Sequence, residues 1–240
     1  MADNSELVPC GKVIGLFSGV PTVLSYNKRN KPLMSTIRRT PIKEGKCKVE
    51  IGTGIPGDTR VDKGHNDPDR AIMQYASESY ELLVSKINEY HAREEVDDDM
   101  PKPDSIKAPG FGEQILSTGM TETDVCVGDV YKIGTTLLQA SQPRKPCPKI
   151  SMSFKYKKFT DFSWELRRTG WFYTVLEAGE MNVGDVIYRV KRVYPKITID
   201  HVHRLLKGPS LSKEELEELS TCPLLSLRWV NYAKDALKSL

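Results

Sequence analysis

GFGEQILSTGMTETDVCVGDVYKIGTTLLQASQPRKPC, residues 110–147, reads as short strands broken by tight turns. Val127-Gly128-Asp129-Val130 is a turn signal leading straight into VYKIGTTLLQA: Gly supplies unusual backbone angles, and Asp can bond nearby amides. The same logic returns at Asn182-Val183-Gly184-Asp185-Val186, where Gly-Asp again opens a strand. Cys126, flanked by Val125 and Val127, reads as core. The stretch ends in Arg144-Lys145-Pro146-Cys147-Pro148-Lys149, a thiol between two prolines and among cations.

Working outward, KVIGLF at residues 12–17 is a short apolar run rich in strand formers. KCKVEI at 46–51 alternates with period two and puts Cys47, Val49 and Ile51 on one face. Tyr80, Leu83, Val84, Ile87 and Tyr90 repeat at helical spacing, which predicts a helix over Ser77–His91 with Ser77 as a cap. Residues 97–109 are acidic and proline-bearing, an exposed loop. A helix is expected over Asp161–Arg168, closed by Gly170 as its left-handed residue. After Tyr194 the pattern becomes helical throughout. Thr198 precedes a first helix, Ser212–Glu215 forms a capping box for a second, and Leu224, Leu227, Val230 and Leu237 stripe a third. The expected fold is therefore mixed, mainly β: a barrel-like body with helices outside, then a small three-helix bundle. The expected division is residues 1–194 and 195–240.

The chain has 240 residues and a formal net charge of +3, too weak to imply a nucleic-acid partner. No apolar run is long enough for a membrane span, and the polar start, Met1–Pro9, lacks the features of a leader, so a cytoplasmic protein without membrane contact is expected. Five widely spaced cysteines without a CxxC pair predict neither a disulfide framework nor a structural zinc site. His201 and His203 fall on different helix faces, which disfavours a metal pair. Two basic stretches, 28–48 and 144–158, could meet to form an anion site. Tyr156 and Phe159, among lysines in the second, read as a cofactor rim or plain surface.

Cys147 carries the chemistry. Its prolines fix the backbone and withhold two amide donors. Neighbouring cations favour the anionic sulfur, the form that binds soft metals or attacks.

Three segments resemble the MOSC-domain family, YiiM type: residues 110–147, GDTRVDKGHNDPDRAIMQY at 57–75, and GWFYTVLEAGEMNVGDVI at 170–187. The tail from about Lys196 resembles the three-helix domain that follows the body in this subgroup. The resemblance implies a β-barrel-like body holding a molybdenum cofactor, a pterin dithiolene with a phosphate. It implies reduction of N-hydroxylated substrates such as hydroxylaminopurines, with Cys147 as metal ligand and His65 as proton donor. Arg39, Arg144 and Lys145 would hold anionic groups of cofactor or substrate, with Glu113 and Gln114 beside them; Arg39 would also act in catalysis. Electrons would come from a separate flavoprotein or heme protein. The chain departs from the family pattern at Asn66-Asp67 (usually Gly-Gly), Arg39 (Lys), Gln74 (His in some members) and Gln114 (Asn). Two alternatives stand beside the reductase: a cofactor carrier without catalysis, and a persulfide-bearing sulfur-transfer protein.

Overall fold

A computed structural model of the chain describes residues 7–59, 61, 67–93 and 106–240. Strand β1 (Val8–Ser18) opens the fold. The ribbon β2 (Thr22–Tyr26) and β3 (Pro32–Ser35) follows, then the short β4 (Thr40–Pro41) and β5 (Lys46–Val49). A 3-10 turn, Pro68–Arg70, enters β6 (Ile72–Ala76), which runs into helix α1 (Ser77–Arg93). Next come β7 (Ile115–Thr118), β8 (Val130–Ile133) and β9 (Thr136–Pro143). Helices α2 (Lys149–Phe154) and α3 (Phe159–Leu166) precede β10 (Trp171–Glu177), β11 (Gly179–Asn182) and β12 (Val186–Lys191). The chain finishes in α4 (Ile199–His203), α5 (Lys213–Thr221) and α6 (Leu227–Leu237).

Seven strands close on themselves in the order β12-β8-β9-β10-β6-β7-β1, with β1 pairing back to β12. Closure removes the exposed strand edges an open sheet would present. Of these pairs β6–β7 is parallel, and α1 lies in the long connection that such a pair requires. β11 pairs with β5 as a separate ribbon. The Gly-Asp turns work as their sequence implies. Gly128 and Gly184 have φ of 80° and 99°. Asp129 accepts the Cys126 amide at 3.0 Å, and Asp185 accepts the Asn182 amide at 2.7 Å.

One apolar cluster fills the barrel and continues, without a break, under the C-terminal helices. Val13, Ile133 and Trp171 share it with Ile199, Leu219 and Trp229. A second, aromatic cluster lies between the sheet and α1–α3; Tyr75 stacks on Phe111 at 4.1 Å, and Phe154 on Phe159 at 4.2 Å.

Several expectations need correction. Tyr156 and Phe159 are fully buried in the aromatic cluster, not at a rim. The lysines around them are exposed while the rings are buried, and the Tyr156 hydroxyl meets His91 Nε2 at 2.8 Å. The left-handed residue closing α3 is Arg167, φ 53°, not Gly170. Gly170 has positive φ, but it sits where β10 begins, and its amide donates to Glu122 at 2.8 Å. Ile51 is exposed, because β5 ends at Val49 and a turn follows.

Candidate functional site

β9 ends by pairing with the start of β10, Gln142 opposite Phe172 and Pro143 opposite Trp171. The Arg144 amide continues that ladder to the Gly170 carbonyl at 2.9 Å. Pro146 and Pro148 cannot donate, so the ladder stops and the chain turns outward. Cys147 sits on that turn. Its carbonyl accepts the Ile150 amide at 3.0 Å and the Thr160 hydroxyl at 3.3 Å, which fixes its backbone against α2 and α3.

Cys147 is half-buried and faces a cavity of about 410 Å³. The other walls come from the 35–39 segment, Arg70 of the 3-10 turn, Met73, Phe111, Gly112, Gln114, Phe172 of β10 and Arg228 of α6. Among the described residues six cations line it: Arg39, Arg70, Arg144, Lys145, Lys149 and Arg228. No Asp or Glu does, among the described residues. Cavities of this size are ordinary for small-molecule sites; the one-signed charge of the wall suits an anion.

The cations differ in freedom. The Arg39 guanidinium is 6 % exposed and grips Asp58, itself 1 % exposed, through Nε at 2.6 Å and Nη2 at 2.8 Å. Its Nη1 donates to the carbonyls of Gly112 and Thr36. The expected fork toward a phosphate or substrate is thus closed on a protein carboxylate. Arg39 braces the wall rather than clamping a ligand. Arg144 is the reverse case. It is buried, it stands over the Phe111 ring at 5.8 Å, and its Nη1 has no hydrogen-bond partner among the described residues. A buried donor without a partner is costly, so this one is poised for an anion. Lys145 Nζ donates to the Tyr232 hydroxyl of α6 at 3.0 Å. Arg70 lies over Phe172 at 5.1 Å. Burial, then the nearby Arg228 charge, pushes its pKa down.

The two expected polar partners serve other ends. Glu113 does not line the cavity. It is wholly buried and accepts the Tyr80 hydroxyl at 2.7 Å and the Phe111 amide at 3.0 Å. Burial raises its pKa, against the pull of those donors. Glu113 therefore orders residues 110–113 and is not a cofactor contact. Gln114 does reach the wall, but its Oε1 accepts the Met73 amide at 2.8 Å, locking β6 to the loop. Gln74, where some family members have histidine, lies inside the barrel between Ser117 and Tyr173. His65 and Asn66 lie outside the described residues.

Sequence reasoning missed two of the cavity cations. Arg70 stood inside the quoted 57–75 stretch, so its signal was present. Arg228 had none: its placement depends on how α6 docks.

A model of the MOSC domain matches residues 61–188. The chain is 32 % identical over 188 residues to a protein of Gibberella moniliformis named "Reductase", covering 78 % of this chain but only 31 % of that protein's length. It is 31 % identical over 175 residues to Protein YiiM of Escherichia coli, covering 67 % of this chain and 72 % of YiiM. Crystal structures of YiiM from Escherichia coli and from Geobacillus stearothermophilus superpose with TM-scores of 0.71 and 0.70, each at 22 % identity. They cover 96 % and 95 % of this chain, and 94 % and 99 % of theirs.

Proposed function

The chain belongs to the MOSC-domain family, and from that membership we propose that it binds a molybdenum cofactor through Cys147 and reduces N-hydroxylated small molecules. One observation carries the proposal. A half-exposed thiol faces a cation-lined cavity in which a buried arginine, Arg144, has an unpartnered Nη1. Thiolate is a soft donor suited to such a metal. Arg144 suits the pterin's phosphate, since a guanidinium can bind a phosphate through two parallel bonds. The donor set thus fits the group. The fungal relative's name supports the oxidoreductase class.

When bound, the cofactor supplies two-electron chemistry: an N-hydroxylamine takes up two electrons and two protons and yields the amine and water. This chain's residues do the rest. Cys147 fixes the metal at a rigid turn. Phe111, Met73 and Phe172 give the cavity apolar walls that exclude water from a flat ring. His65 is the proposed proton donor, because its ordinary pKa lies near the working pH. The electrons come from a separate flavoprotein or heme protein.

Reduced viologen with 6-hydroxylaminopurine, added to protein purified with its molybdenum, tests the reading. Consumption of viologen with formation of adenine is expected, and it is lost in Cys147→Ser. Molybdenum retained without turnover would favour the carrier instead. Persulfide on Cys147 and no molybdenum would favour sulfur transfer.

A further inference from the structure

Arg228 comes to the cavity by a built route. The Ser226 amide donates to the Ser141 carbonyl at 3.3 Å, and its hydroxyl donates to Gln142 Oε1 at 3.0 Å. Trp229, the next residue after Arg228, is 1 % exposed. The start of α6 is therefore fastened to the end of β9, and Arg228 is held at the cavity between two anchored neighbours. It is itself exposed, with no side-chain hydrogen bond or ion pair among the described residues.

Apart from Arg39, which is closed on Asp58, three guanidinium groups from separate parts of the chain line the cavity: Arg70 from the 3-10 turn, Arg144 beyond β9, and Arg228 from α6. Arg70 feels the charges of both others. Asp69 and Asp67 offset part of the charge on Arg70, and Asp69 also feels Arg228, but neither acid lines the cavity. Like charges gathered with no acid in the wall among the described residues repel, and an anion relieves them. A cofactor with a single phosphate does not need all three. Buried Arg144 suits that phosphate; exposed Arg228 marks the open side, where a substrate would project.

Resting on the reductase reading above, we propose that exposed Arg228, backed by the charge of the buried Arg70, forms a second anion subsite in the cavity, selecting substrates that carry their own phosphate. An N-hydroxylated nucleoside monophosphate would then be preferred over the corresponding nucleoside. The C-terminal helices thereby become part of the site, supplying its specificity.

The test compares hydroxylaminopurine riboside with its 5′-monophosphate, using molybdenum-loaded protein and reduced viologen. A charge-assisted contact predicts a KM for the monophosphate about tenfold lower, with similar kcat. Arg228→Ala should erase that preference, and Arg228→Lys should keep part of it. Equal KM values in the wild-type protein, or a preference that survives Arg228→Ala, would overturn the proposal. So would loss of molybdenum from Arg228→Ala, since Arg228 would then hold the cofactor. If neither compound is turned over, the reductase reading fails, and calorimetric titration of adenosine monophosphate against adenosine decides the subsite. Roughly tenfold tighter binding of the monophosphate, lost in Arg228→Ala, supports it; equal binding refutes it.

Discussion

Arg39 and Arg144 show how differently one residue type behaves in one cavity wall. Arg39 is closed on Asp58, both nearly out of solvent. Removing the acid alone leaves a buried charge without its counter-ion, so Asp58→Ala should destabilise by about 3–5 kcal/mol. Urea denaturation checks this; a loss under about 1 kcal/mol would mean that water reaches the guanidinium. Arg144 Nη1 has no partner among the described residues, so its removal should act in the opposite sense. Arg144→Met should leave the cofactor-free protein as stable or slightly more so, while molybdenum retention drops severalfold. A fall in both would show that Arg144 is a structural residue. Only part of this was legible in the chain. Cys147 stood out because prolines and cations surround it in sequence. That Arg39 faces a carboxylate, and Glu113 a tyrosine, depends on residues 19 and 33 positions away respectively, beyond what local pattern can report.

At the scale of elements, the readable signals were those with local causes. Helix α1 follows its apolar stripe, and Ser212 and Glu215 make the capping box their spacing implies. Helix α2 was not anticipated. Its six residues are too few to show a period, and it stands because its Ile150 and Phe154 pack into the aromatic cluster. Gly54 ties the 50–54 turn to the site. It has φ 83°, and a Cβ there would clash with the Ala71 carbonyl oxygen, one residue past Arg70. Gly54→Ala should therefore lower thermal stability and also weaken anion binding by displacing the 3-10 turn. Unchanged stability would contradict the packing described. Helix α4 carries the clearest acid-sensitive group. His203 is fully buried against Trp164, at 4.7 Å, and burial pushes its pKa down to about 4. Between about 6.5 and about 4, the unfolded histidine takes up a proton that the folded one refuses. Its contribution to stability should thus fall as pH drops through that window, by on the order of 3 kcal/mol. Glu113 and Glu122 titrate in both proteins when wild type is compared with His203→Gln, so the difference between the two isolates the histidine. Parallel stability–pH curves would rule this out.

On the scale of the whole molecule, the barrel was inferred from short strands, Gly-Asp turns and the family resemblance, and the closed seven-stranded sheet agrees. The three terminal helices were legible too, but their relation to the body was not, because buried faces do not name their partners. Ile199, Leu219 and Trp229 belong to the same cluster as Val13 and Trp171. A chain ended at residue 194 should bare that surface and aggregate, and the full chain should unfold in one transition followed at either region. Two separated transitions would favour independent units on the two sides of residue 194. All of this serves one placement: a fixed, half-exposed sulfur beside a cationic cavity. Molybdenum content, measured by elemental analysis on wild type and Cys147→Ser expressed in a cofactor-producing host, tests it most directly. Close to one metal per wild-type chain and almost none in a folded Cys147→Ser is expected. Equal molybdenum in both, or none in either, would contradict the account.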